Sequence, residues 1–181
     1  MAEIPKPVAF AGFPLARALI MGVVNVTPDS FSDGGEALAP DAAIARGRAL
    51  MAAGADLVDI GGESTRPGAA PLDPQEESAR VVPIIRALVQ AGAVVSVDTR
   101  NTGTMAAALD AGATIVNDVT ALTGDAGALP LVAARGAAVV LMHMKGDPGT
   151  MQENPRYDDV VGEVAAFLKA RALEAAADGI P

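Results

Sequence analysis

Five times along this chain a helix-like stretch closes on glycine, and an apolar residue follows. The junctions are Gly54-Ala55, Gly92-Ala93, Gly112-Ala113, Gly136-Ala137 and Gly179-Ile180. Glycine has no Cβ to clash in the left-handed conformation, so it is the preferred residue just past a helix end. After the first four junctions come DLVDIGG (56–62), VVSVDT (94–99), TIVNDV (114–119) and AVVLMHM (138–144), and LIMGVVNV (19–26) precedes them all. Each run has strand length, is rich in β-branched residues and is almost continuously apolar, as a strand covered on both faces requires. Helical stretches are predicted at about 41–53, 74–91, 101–111, 125–135 and 158–177. The second opens on Asp73-Pro74-Gln75-Glu76, an acidic N-cap followed by proline at the first helical position.

Strands that alternate with helices through short connections must run parallel, with right-handed crossovers. Two architectures satisfy this rule, a (β/α)8 barrel and an open doubly wound sheet. Polar residues close every strand: Asn25, Gly61 to Thr65, Asp98, Asn117 and His143. A barrel gathers all its strand ends at one mouth, whereas an open sheet concentrates contacts at one switch point. The pattern therefore favours the α/β class and a TIM (β/α)8 barrel. Such a barrel takes roughly 250 residues, so residues 1–181 are expected to form a single incomplete barrel domain, truncated after about five β/α units. Its first and fifth strands would then keep unpaired edges.

Composition narrows the partners. Half of the residues are apolar but only 3% are aromatic, so the core must be aliphatic. There is no cysteine, which removes disulfides and thiolate metal sites. A net charge of −9 with scattered lysines and arginines argues against nucleic acid. No apolar run approaches the ~20 residues of a membrane span, and MAEIPKPVAF lacks the pattern of a signal peptide. A cytoplasmic protein with small-molecule substrates is expected.

Strand alternation selects the groups that face inward. Asp98 shares a face with Ser96 and Val94, and Asn117 shares one with Ile115. A carboxylate beside an amide suits a flat heterocycle with a guanidine-like N–C–N edge; water filling the mouth is the bland alternative. Asp59 has the inward parity of Gly61, either close to Asp98, where two acids raise each other's pKa, or as a satisfied core acid. His143 falls on the opposite face from Met142 and Met144, a structural position. Met21, Met51 and Met105 read as core filler. Two long loops follow the first two strands, NVTPDSFSDGG (25–35) and GGESTRPGAAP (61–71). Loops of that length at a barrel mouth commonly act as lids.

These strings carry a resemblance. MGVVNVTPDSFSDGG (21–35) and DIGGESTRPGA (59–69) resemble the two signatures of the dihydropteroate synthase family, and VSVDT, NDV and LMHMKGDPGTMQ (141–152) continue the match in order. The resemblance covers essentially the whole chain. It implies transfer of the 7,8-dihydropterin-6-ylmethyl group from its diphosphate to p-aminobenzoate, with release of diphosphate, on the route to folate. By the same resemblance Asn25 contacts Mg2+ and diphosphate, Thr65 binds substrate and Arg66 meets the anionic end. Asp98 and Asn117 grip the pterin, with Met142 against its face, and Phe31, Asp33 and Pro67 close over the p-aminobenzoate site. Asp33 and Arg66 are thus the candidate catalytic groups, and full-length members are expected to be homodimers.

The later segments that complete the family's pocket have no counterpart here, so the 181-residue chain alone is expected to have negligible synthase activity. Lys145, coming from the fifth strand, is not a substitute for the family's later lysine. A corrinoid-type folate-linked methyltransferase is the nearest enzymatic alternative, disfavoured by the TPDSFSDGG and ESTRPG loops. A non-catalytic pterin-binding module is the other.

Overall fold

The computed structural model describes residues 9–26, 39–63 and 72–180. A small hairpin, β1 (Ala9–Phe10) and β2 (Phe13–Pro14), precedes the repeating part. Then come β3 (Met21–Asn25), α1 (Pro40–Ala52), β4 (Leu57–Gly61), α2 (Pro74–Gln90), β5 (Val94–Asp98) and α3 (Thr102–Asp110). The last elements are β6 (Ile115–Asp118), α4 (Ala128–Arg135), β7 (Ala138–Leu141) and α5 (Val160–Ala177). Strands β3 to β7 form one parallel sheet in sequence order. That topology is the α/β-barrel arrangement over five consecutive strands.

All five expected glycine caps are built in the same way. Gly54, Gly92, Gly112, Gly136 and Gly179 have φ of +103°, +86°, +105°, +61° and +85°. In each, the residue after glycine donates its N–H to a carbonyl five residues back, as Ala55 does to Leu50 and Ala113 to Ala108, both at 3.0 Å. This Schellman geometry satisfies helix carbonyls that would otherwise be bare and turns the chain sharply into the next strand. At the other end of α2, Asp73 Oδ1 accepts from Gln75 N at 2.9 Å and, more weakly, from Glu76 N at 3.4 Å.

Helices pack on one face of the sheet. Val81, Ile84, Ile85 and Leu88 of α2 are fully buried with Val58, Ile60, Val95, Val97 and Val116. At ~1.5–3 kcal/mol per fully buried aliphatic side chain, this layer dominates the stability of the fold. The opposite, inward face carries a second cluster of Leu57, Ile115 and Ala138 with Val94, Val140 and Phe10. Phe10 belongs to the hairpin, so β1–β2 covers the lower end of that face.

Two expectations need correction. The fifth strand ends at Leu141 rather than at residue 144, since β7 is an edge strand and the chain turns through Gly146, φ +81°, soon afterwards. Met105 is buried and Met51 packs on the core, but Met21 is 37% exposed and Val23 45%. Both point inward from the edge strand β3, where no facing layer stands among the described residues.

The glycine caps generate a ranked prediction. Around Gly54 a Cβ would meet nothing within 4 Å, whereas at Gly112 it would lie 2.8 Å from Val89 Cγ1. Gly54→Ala is expected to cost about 1–2 kcal/mol of backbone strain alone, and Gly112→Ala distinctly more. Urea denaturation of both variants measures the difference; equal losses would mean that Val89 yields freely.

Candidate functional site

Matched strand lengths bring the strand tips into register. Asn25, Gly61, Asp98, Asn117 and Val140 stand side by side across β3 to β7. One layer deeper lie Val23, Asp59, Ser96, Ile115 and Ala138. Pleating sends both rows to the inward face. An extra Cβ on Gly61 would sit 3.2 Å from Asn25 Oδ1 and 3.5 Å from Asp98 Oδ2. Two oxygens from the flanking strands therefore converge over a residue without a side chain. Gly61 makes that convergence possible.

The curl of the sheet is visible in one hydrogen bond. Asn117 Nδ2 donates to Asp59 Oδ2 at 3.0 Å, although β6 and β4 are separated by β5. Flat strands two apart would be about 9–10 Å from one another, so the inward face is concave. Asp59 is 2% exposed, and its Oδ1 and the neighbouring Ser96 Oγ have no hydrogen-bond partner. Burial pushes the Asp59 carboxyl up, against the lowering influence of Ser96 and Asn117. Ser96 lies near enough to favour the ionised form without reaching hydrogen-bond geometry. Of the two readings of Asp59, the inward carboxylate close to Asp98 is the one observed.

Asp98 is pushed up to about 7, first by burial and then by the negative charges of Asp59, Glu77, Asp118 and Glu63. Each neighbour is held in place by its own bonds. Glu77, fully buried on α2, accepts at Oε2 from Thr99 Oγ1, Asn101 Nδ2 and Thr104 Oγ1 at 2.7–2.9 Å. Asp118 accepts from Thr120 N and Leu122 N at 2.8 and 2.9 Å, closing a turn in which Ala121 and Leu122 have φ of +53° and +61°. Arg171 of α5 donates through Nε to Ala121 O at 2.8 Å and secures that turn. Strained backbone of this kind needs such support, and it lies directly beyond Asn117.

Glu63 holds the base of the second long loop. Its carboxylate takes Arg100 Nε at 3.0 Å and Nη2 at 2.9 Å in a bidentate pair, and accepts from Leu72 N at 3.1 Å. Burial opposes ionisation of Glu63, but Arg100 and the Leu72 N–H outweigh it and hold the carboxyl below its ordinary range. Arg66 and Lys145 are named from the sequence, whereas Arg100 is not. Its position immediately after the VSVDT strand end was the available signal.

Among the proposed site residues, Asn25, Asp98 and Asn117 share one row, and Met142 lies partly buried just beyond β7, two residues after the inward Val140. Phe31, Asp33, Thr65, Arg66 and Pro67 lie outside the described residues. His143 stacks edge-on against Phe167 of α5, with centroids 5.1 Å apart, and tilts against Tyr157. It faces the helix layer, as alternation predicted. Lys145 pairs with Glu163 at 2.7 Å and sits 4.0 Å above the Tyr157 ring, away from the row. An open groove of about 330 Å3 lies at the opposite end of the sheet, lined by Ala9, Ala11, Gly12, Thr114, Gly136 and Ala138 without a charged group.

Known proteins share this arrangement. Residues 21–181 match the family model described as pterin binding enzyme. The chain is 51% identical over 169 residues to the dihydropteroate synthase of Neisseria meningitidis serogroup B, covering 92% of this chain and 59% of that protein. It is 48% identical over 167 residues to that of Mycobacterium leprae, with the same two coverages. Among solved structures, Yersinia pestis dihydropteroate synthase with a sulfonamide drug complex superposes with a TM-score of 0.87 at 43% identity, covering 96% of this chain and 64% of that one. The Xanthomonas albilineans enzyme with 4-aminobenzoic acid gives 0.82 at 49% identity, covering 93% and 60%. The chain thus spans about three fifths of the length of the relatives it matches.

The raised Asp98 carboxyl makes stability depend on pH with a definite sign. Below an ordinary aspartate pKa of ~4 both folded and unfolded chains are protonated there, and the site costs nothing. As pH rises towards 7 the unfolded chain ionises first, so the folded state loses relative stability, and above 7 the cost is fully present. Asp98→Asn is therefore expected to stabilise the chain more at pH 7.5 than at pH 4. Denaturant midpoints at the two pH values check this; a pH-independent difference would mean that Asp98 titrates normally.

Proposed function

Because the chain belongs to the pterin-binding enzyme family, we propose that it supplies the pterin- and diphosphate-facing strands of a dihydropteroate synthase. The observation that carries the reading is the row itself: Asn25, Asp98 and Asn117 at adjacent parallel strand tips around Gly61. The reaction breaks the C–O bond between the pterin methylene and diphosphate and forms a C–N bond to the aniline nitrogen of p-aminobenzoate. Positive charge develops on the pterin side and negative charge on the leaving group.

Asp98 suits the first need. A buried carboxyl near its midpoint at neutral pH becomes fully ionised when an electron-poor, N–H-rich ring meets it, and its charge then favours the transition state. Asn117 adds an acceptor beside it, and Met142 offers an apolar surface to the ring. The aniline nitrogen is nucleophile enough, so no Ser–His–Asp arrangement is required. Arg66 and Asp33, with Thr65, Phe31 and Pro67, take their roles from the resemblance alone: Arg66 and Thr65 for the anionic substrate, the others for the loops over p-aminobenzoate.

Mg2+ fits the donor set in one specific way. Among the described residues no group of three acidic or histidine side chains could cage a metal, but the exposed Asn25 amide oxygen stands at the mouth. Mg2+ characteristically takes few protein oxygens and completes its shell with water and substrate phosphate. Asn25 would hold it there, and when bound it would neutralise the leaving diphosphate. A cytoplasmic enzyme that forms a homodimer at full length accords with this reading; among the described residues no helix is long and apolar enough to cross a membrane.

Calorimetric titration with 6-hydroxymethylpterin tests the proposal. Binding is expected, and Asp98→Asn should weaken it about ten- to hundredfold through loss of a charge-assisted hydrogen bond. Gly61→Ala should also weaken it, by pressing a methyl against Asn25 and Asp98, while leaving the denaturation midpoint close to that of the parent. Binding unaffected by Asp98→Asn would refute the assignment.

A further inference from the structure

Asp59 has so far entered only through its charge on Asp98, yet it is among the most buried acids of the described residues. It lies one layer below the row, opposite Ser96 in register. Among the described residues its one hydrogen bond comes from Asn117 Nδ2, at 3.0 Å across the intervening strand. Its other oxygen and the Ser96 hydroxyl are buried and unpartnered. A buried carboxylate with so few stabilising groups leans heavily on each, and Asn117 shares that load only with the nearby Ser96 hydroxyl dipole. The Asn117 amide cannot turn its nitrogen away without removing the one hydrogen bond that the acid accepts among the described residues.

An amide is bipolar, so fixing one end fixes the other. With Nδ2 committed to the deeper layer, Asn117 Oδ1 is the end left for the mouth, and no described group donates to it. The mouth then shows two acceptors side by side, the Asp98 carboxylate and the Asn117 carbonyl, at matched register positions. A reversed amide would fail twice. It would place an oxygen against the Asp59 carboxylate and an NH2 group against a ligand N–H.

We infer that Asp59 is a positioning residue that sets the polarity of the Asn117 amide and thereby selects ligands presenting adjacent N–H donors over ligands presenting carbonyl oxygens at the same edge. The inference deepens the pterin-binding reading and rests on it for the choice of ligand. The geometric part, the orientation of Asn117, stands on the protein alone.

Two measurements on the full chain separate these parts. In 1H–15N spectra, the Asn117 side-chain NH2, assigned by its loss in Asn117→Ala, should show one proton shifted downfield and slow to exchange. Asp59→Asn, which removes the charge but keeps a carbonyl acceptor, should weaken that signature. Asp59→Ser, smaller and neutral, provides a second variant should the first fail to fold, and should weaken the signature as well. In calorimetry, the parent chain should prefer pterin, with its 2-amino group, to lumazine, whose corresponding group is a carbonyl. Either Asp59 variant should weaken pterin binding about ten- to hundredfold and narrow the preference. An Asn117 signal indifferent to both substitutions overturns the inference, as does an altered signal with unchanged pterin-to-lumazine preference. If the parent binds neither pteridine, the functional reading and the ligand selection fall together, while the NH2 spectrum still decides the orientation.

Discussion

A hydrogen bond that spans an entire strand holds the site together. Asn117 on β6 reaches Asp59 on β4 over the top of β5, as side chains on the inner face of a curled sheet can. The sheet has five parallel strands of similar length, and four of them, β4 to β7, are started at the same level by a glycine-capped helix. The caps set the level, the level sets the register, and the register lines up Asn25, Gly61, Asp98 and Asn117. Each step depends on the one before it.

Electrostatics give this arrangement its chemical character. Asp59, Glu77, Asp118 and Glu63 lie close enough to oppose ionisation of Asp98, and Arg100 is committed to Glu63. The mouth is therefore rich in acceptors and poor in free positive charge among the described residues. Such a surface favours the N–H-rich, electron-poor end of a substrate. Its anionic end requires cations from elsewhere, which is the role the resemblance gives to Arg66 and Mg2+.

Much of the scaffold was legible in the sequence because short-range rules govern it. Glycine caps need only backbone sterics, the Asp73 cap only a local carboxylate, and the inward parity of Asp98 and Asn117 only the period of two along a strand. The hairpin was not legible. Its strands have two residues each, too few for periodicity, and its turn places Ala11 and Gly12 at φ +48° and +86° without the Asn-Gly pair that usually signals such a turn. Met21 was misread as core because its pattern reports an inward face without reporting what stands opposite. Arg100 and Glu63, 37 positions apart, form a pair that no local pattern announces.

The amino-acid order by itself determined the parallel α/β repeat, its glycine-capped turns, the family and which acid and amides face inward, since each follows from contacts within a few residues or from motif strings. Tertiary structure alone decided how those groups act on one another. It placed Asn25 and Asp98 over Gly61, joined Asn117 to Asp59 across a strand and raised Asp98 towards neutrality. Such effects depend on distance and burial between strands far apart in the chain, quantities fixed only when the sheet curls and its helices exclude water.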